Sequence, residues 1–332
     1  MTTMDLRTVS IKPLRHTFDH VAKRIGGDKP ATRYQEGTFD LQATHNFHYR
    51  PTWDPDHEIF DPRRTAIVMA DWYAFKDPRQ FYYGTYTQAR ARQQESTEAN
   101  FEFVEQRGLA AALPDAVRRM AIELLLPLRH LAWGGNMNCA YICAYGYGTG
   151  ISQPHIYQAM DQLGIAQFLT RIGLLLDEPE ALDRAKLQWL QDPKWQGLRR
   201  YVEDVFVVKD WFEVFVAQNL VLDGLIYPLV YEHVVDDVLT MKGGTAVAML
   251  TKFMTEWHAE TAKWVDAQIK TAAAESPANQ AQVASWIRHW LARGLEACAP
   301  LAEFALDEDG PGTLATVAAQ LQARIAKSGV TL

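Results

Sequence analysis

The sequence predicts an all-α helical bundle over residues 86–332, preceded by a long extended arm over residues 1–85. Three observations carry this expectation. After about residue 85 the composition is dominated by Ala, Leu, Gln, Glu and Arg, and runs of alternating β-branched residues are nearly absent, which favours helix over strand. Apolar residues in the same region recur at three- and four-residue steps, the period of a helix that buries one face. Before it, Pro13, Pro30, Pro51, Pro55, Pro62 and Pro78 interrupt any sustained helical period except a short one from Thr17 to Arg24.

The arm is not composed like a disordered tail. It carries Phe47, Tyr49, Trp53, Phe60, Trp72, Tyr73, Phe75, Phe81, Tyr82 and Tyr83, and disordered segments are depleted in aromatics. Such a stretch suits a segment laid on another surface, with Trp53, Trp72, Tyr82 and Tyr83 as the expected anchors of a partner interface. The competing reading is that some of these rings fold back onto the chain's own helices.

Beyond the arm a helix is expected from Tyr86 to Arg107, stopped by Gly108. Pro114 and Asp115 open a long helix to about Tyr145, kinked at Pro127, and Ser152 with Pro154 starts the next, to about Leu176. Shorter helices fit Glu180 to Leu190 and Leu198 to Val207. The central pair runs from Asp210 to Ile269, turning at Gly243 and Gly244, with a local break or bulge expected from Gly224 and Pro228. Ser276 and Pro277 cap a further helix, and a last one spans about Leu314 to Ala326.

The central pair organises the chain. Phe212, Phe215, Val216, Asn219, Leu222, Asp223, Ile226 and Val230 share one stripe, while Met254, His258, Thr261, Ala262, Val265 and Ile269 share the facing one. Asn219, Asp223, His258 and Thr261 therefore lie on faces that should be apolar, and a buried polar group without a partner costs roughly 1–3 kcal/mol. Facing helices with polar residues inside their apolar stripes are the layout of a bundle that holds a metal site, or once held one.

Composition narrows the function classes. A net charge of -7 with mixed signs offers no clustered positive face for nucleic acid. Three cysteines, Cys139, Cys143 and Cys298, are too few for a disulfide scaffold, and the polar start MTTMDLRT has no apolar signal segment, so the cytoplasm is the expected compartment. Leu131 to Met160 has no Asp, Glu, Lys or Arg, but its Asn residues, glycines and Pro154 read as a buried helix, a turn and a new helix, not a membrane span.

A dimetal bundle typically draws Glu from two helices and Glu-x-x-His from two others. No Glu lies three residues before any of the ten histidines. Asp54-x-x-His57 has the spacing but falls in the arm, as does His45-x-x-His48, and both read as solvated or interface pairs. Cys139 and Cys143 lack a second ligand pair for zinc and read as small hydrophobes. Gly146-Tyr-Gly-Thr-Gly150 follows a helix and lacks the Lys of a phosphate loop, so it reads as a turn.

The stretches IKPLRHTFDHVAKR, DKPATRYQE, NFHYRPTWDP, MADWYAFKDPRQFYYGTY and MTEWHAETAKW carry a resemblance over nearly the whole length. The chain resembles the β subunit of bacterial multicomponent monooxygenases, nearest the phenol hydroxylase branch beside toluene and methane monooxygenases. The resemblance implies a ferritin-like fold and a subunit that is a copy of the catalytic α subunit without its metal ligands. Gln162 and Ile165 stand where α has Glu and His, Asn219 where it has the single Glu, and His258 and Thr261 where it has the last Glu-x-x-His; the first Glu falls near Trp133. It further implies a dinuclear iron in α, an (αβγ)2 hydroxylase, a regulatory protein, and a reductase with FAD and 2Fe-2S that delivers electrons from NADH. The reaction would insert one oxygen atom of O2 into an aromatic ring. The rival readings are a self-standing dimetal oxidase using Asp161, Asp223, Glu232, His233, His258 and Glu260, and a helical adaptor protein.

Overall fold

The computed structural model describes residues 17–26, 30–42 and 50–332, among which there is no strand. His45 and His48, with Phe47 and Tyr49, lie outside the described residues. Two short helices, α1 (Asp19–Ile25) and α2 (Arg33–Glu36), precede α3 (Tyr83–Gln106), α4 (Asp115–Leu125), α5 (Leu128–Tyr145) and α6 (Thr149–Leu176). There follow α7 (Glu180–Gln191), α8 (Pro193–Val205), α9 (Trp211–Leu239), α10 (Thr245–Glu275), α11 (Pro277–Leu306) and α12 (Gly310–Lys327).

Local chemistry sets the boundaries. Pro127 splits the long helix expected from Asp115 into α4 and α5, because its missing N–H interrupts the ladder. At α6 the start lies earlier than Ser152: the amides of Ile151 and Ser152 already bond the Gly148 carbonyl, so Pro154 falls inside the helix near its beginning. Asp192 caps α8 by accepting from Lys194 N with Pro193 at the first position, which moves that helix forward of Leu198. Ser276 caps α11 in the expected way, its hydroxyl accepting from Asn279 N.

The helix α9 is unusual. It is π-helical over Val216–Leu222 and again over Tyr227–Leu239, with an α turn at Asp223–Ile226 between. The second π segment opens at Tyr227 and Pro228, where proline has no N–H for the ordinary bond and the ladder continues on a wider turn. By length and apolarity α9 is long enough to cross a membrane, yet its most apolar window is wholly buried in the bundle. It is packed as a core helix by α10, α11 and α12.

Part of the arm belongs to this core. Thr65, Ile67 and Met69 are buried while Ala66, Val68 and Ala70 face out, the alternation of an extended chain. Having no neighbouring strand, this strap gives its backbone to side chains at helix ends: Ala66 N donates to Asp210 (2.6 Å), Ala70 N to Glu275 (2.8 Å), and Val68 bonds Asn279 through both its N–H (3.1 Å) and its carbonyl (2.9 Å). Ile67, Met69, Trp72 and Phe75 join the main hydrophobic cluster. Packing of these four side chains lays residues 67–75 against the helical body.

Candidate functional site

The polar residues of the central stripes converge between α5, α6, α9 and α10. From α5, Asn138 Nδ2 donates to Gln218 Oε1 (2.8 Å), and Gln218 Nε2 donates to Asp223 Oδ1 (3.0 Å). Asn219 Nδ2 donates to Asp223 Oδ2 (3.4 Å) and lies 3.5 Å from the Cys139 sulfur. Asp223 is thus a buried carboxyl whose named partners are amides, with no cation among them. Burial pushes its pKa up to about 7, against the amides, which favour the ionised form.

Beside it Gln162 Oε1 accepts from the Tyr227 hydroxyl (3.4 Å), and the Tyr227 ring stacks on His258 at 5.5 Å. Burial holds His258 neutral, its pKa pushed down to about 3. Ile165 is buried in the apolar core, and the Thr261 hydroxyl has no hydrogen-bond partner. Trp133 does not face this cluster: it is 51% exposed and packs edge-on against Phe206. The α5 residue opposite Gln162 is Gly135, where an added Cβ would lie 2.9 Å from the Gln162 amide carbon. The inward-facing residue nearest the expected first ligand position is therefore Gly135, two residues from Trp133.

A second, charged cluster adjoins the first. Asp161 receives Arg90 through Nε (2.8 Å) and Nη2 (2.7 Å), the Tyr86 hydroxyl (2.9 Å) and Trp257 Nε1 (3.0 Å). Glu260 pairs with the same Arg90 (2.9 Å) and with Arg79 (3.5 Å), which also holds Asp77. These ion pairs tie the start of α3 to α6 and α10. Of the rival ligand set, Asp161 and Glu260 are spent on arginines and His233 pairs with Asp237 (3.1 Å) while Glu232 stays half-buried beside it. Among the described residues no group of three or more His, Cys, Asp or Glu could hold a metal ion.

The donor set does not fit a dinuclear iron centre. Gln162 and Asn219 offer neutral amides, Ile165 and Gly135 offer nothing, and hard ferric or ferrous ions in such bundles are held by carboxylates and imidazoles. Asp54 and His57 form a pair at 3.0 Å in the arm, with Arg64 on the same carboxylate (2.6 Å). Gly146 to Gly148 make the turn between α5 and α6, with Thr149 and Gly150 in the first turn of α6, and Cys139 is buried with its thiol pKa pushed up by burial.

Of the expected interface anchors, Tyr83 and Trp53 are exposed and Tyr82 is half-buried. Trp72 is buried within this chain, 5.8 Å from Trp211, so its role as a partner anchor is corrected to a core role. Exposed apolar residues also line the outer side of the α5/α6 pair: Trp133, Met137, Ile156, Met160 and Leu163. Sequence reasoning missed Asn138, Gln218, Tyr227 and Arg90. Gln218 precedes the stripe of Asn219 and Asp223 in an ideal α-helix, and the π turns bring it inward.

Comparison with known proteins agrees with this geometry. Residues 53–276 match the family model described as methane/phenol/alkene hydroxylase. The chain is 51% identical over 330 residues to the phenol 2-monooxygenase oxygenase component DmpL of Pseudomonas sp. (strain CF600), covering 99% of this chain and 98% of that one. It is 47% identical to the oxygenase component MhpL of Acinetobacter pittii (strain PHEA-2), covering 92% of each. Its fold superposes on a crystal structure of xenon-pressurized phenol hydroxylase from Pseudomonas sp. OX1 with a TM-score of 0.91 at 45% identity, covering 99% of both chains.

Proposed function

The chain belongs to the methane/phenol/alkene hydroxylase family, and from that premise we propose that it is the non-catalytic β subunit of a phenol-type aromatic hydroxylase. The observation that carries this reading is the content of the bundle centre. Where oxygen activation requires clustered carboxylate and imidazole ligands, this chain has Gln162, Ile165, Asn219 and Thr261 at the inward positions, its Asp223 carboxyl is held by amides, and its His258 imidazole is stacked on Tyr227. Its ferritin-like core is therefore a scaffold.

In this reading the dinuclear iron lies in a partner α subunit, which inserts one oxygen atom of O2 into an aromatic ring. Electrons come from NADH through a separate reductase bearing FAD and 2Fe-2S. The hydroxylase is an (αβγ)2 assembly visited by a regulatory protein, and it works in the cytoplasm. The exposed Trp53 and Tyr83 and the half-buried Tyr82 are offered to the partner, a use that suits their large rigid rings.

The test is to purify the chain alone and with its co-encoded subunits, then measure iron and the near-ultraviolet spectrum of each. The expected result is iron in the complex, and substoichiometric iron with no oxo-bridged absorption in the isolated chain. About two irons per isolated chain, as a dimetal bundle holds, lost on His258→Ala, would overturn the assignment.

A further inference from the structure

Two facing helices carry unmatched polar atoms at the same spacing. On α6, His155, Gln158 and Gln162 follow one stripe, and on α10 Thr261, Trp264 and Gln268 follow another, each at steps of three and four residues. All six are at most 1% exposed. The stripes run antiparallel and in register. The His155 and Trp264 rings meet at 4.9 Å, and one level along, Gln162 and His258 share Tyr227, which bonds the first at 3.4 Å and stacks on the second at 5.5 Å. Gln158 and Thr261 fall between these levels.

Five of the six have a buried polar atom with no partner: His155 Nε2, both amide atoms of Gln158, the Thr261 hydroxyl, Trp264 Nε1 and Gln268 Oε1. The sixth, Gln162, turns its amide toward Asp223. In His155 and Gln268 the other polar atom is used. His155 Nδ1 lies 2.6 Å from the Ile151 carbonyl, which fixes the proton there and leaves Nε2 an acceptor, and Gln268 Nε2 donates to the Lys76 carbonyl (2.8 Å). Buried polar groups in folded proteins are bonded as a rule, so a whole row of exceptions calls for a shared partner.

The chemistry of the row defines that partner. Trp264 Nε1 donates, His155 Nε2 and Gln268 Oε1 accept, and Gln158 and Thr261 do both. A metal ion would meet N–H donors, and an anion would find no free cation, because Arg79, stacked on Trp264 at 4.9 Å, is held by Asp77 and Glu260. A small neutral molecule that both donates and accepts fits every position. We propose that the α6/α10 seam binds a file of ordered water molecules bridging His155 and Gln158 to Thr261, Trp264 and Gln268. Each water then makes the two to four bonds that keep buried water in place. This reading concerns the chain's own interior and does not depend on the subunit assignment.

A crystal structure of the assembled complex at a resolution that shows ordered solvent tests it directly. Solvent peaks within hydrogen-bonding distance of Gln158 and of Thr261 or Trp264 are the expected result. A seam in which these side chains pair with one another and no solvent density lies between them overturns it. Gln158→Leu supplies a test of sign. In a dry seam, removing two unpaired polar atoms raises the Tm; in a hydrated one, Leu strands the partners of the water and the Tm falls. A rise in Tm therefore also overturns the proposal. Should Gln158→Leu yield no folded protein, Thr261→Val, a smaller change at the same level, is read in the same way.

Discussion

Replacing Asp223 by Asn should change how stability depends on pH. Asp223 titrates at the ordinary 3.8 when unfolded and is pushed up to about 7 by burial in the native chain. Below about pH 4 both states are protonated and the group contributes nothing. Between about pH 4 and 7 the unfolded chain ionises while the native chain keeps its proton, so this residue makes stability fall as pH rises. Above about 7 the native carboxyl is ionised too, and the loss is complete. The distance from 3.8 to about 7, at 1.36 kcal/mol per pH unit, comes to about 4 kcal/mol. His155 and His258, both held near 3 by burial, act oppositely, their stability being lost as pH falls below about 6.5. Because they are present in both proteins they cancel in the difference. Urea unfolding of the two proteins from pH 4 to 8 is the assay, and the expected signature is an advantage for Asp223→Asn that grows by about 4 kcal/mol across the window. Parallel stability curves would refute the reasoning.

Other perturbations follow from the same packing. Arg90→Leu leaves Asp161 buried without its cation and should cost roughly 3–5 kcal/mol in denaturant unfolding; a cost under about 1 kcal/mol would mean the pair is not what holds α3 to α6. Gly150→Ala places a Cβ 2.8 Å from the Phe75 carbonyl oxygen, and should lower stability by about 1–3 kcal/mol by calorimetry, whereas an unchanged Tm would contradict that close approach. Gln162→Leu should shift stability by no more than about 1–2 kcal/mol and leave turnover of the assembled enzyme intact. A hundredfold loss of turnover in a folded, iron-loaded complex, nearly 3 kcal/mol of barrier, would give this chain a catalytic part.

What could be read from the sequence tracks what is periodic. The helices and the inward polar residues Asn219, Asp223, His258 and Thr261 were legible because apolar spacing fixes which side of a helix faces the core. Gln218 was not, since its inward turn depends on π segments whose spacing differs from the ideal period. Gly135 was invisible for another reason: a glycine carries no side chain to mark the inward position at which Gln162 packs against α5. Arg90 meets Asp161 across 71 residues of chain, and no local pattern announces such a pair. The strap at Thr65, Ile67 and Met69 has a period of two, but it is short and flanked by prolines. Aromatic content alone cannot say whether Trp72 packs on its own chain or on another.

The outer side of the α5/α6 pair bears on how this polypeptide has to be made. Trp133, Met137, Ile156, Met160 and Leu163 stand out from it, and residues 131–160 contain no Asp, Glu, Lys or Arg to keep neighbouring copies apart. Exposed apolar side chains without intervening charge are sticky in solution. Left uncovered, that face would let copies of the chain meet one another through it. The soluble fraction of the chain made alone should therefore fall as its concentration rises, and a charged residue placed among these side chains, such as Met160→Lys, should raise it.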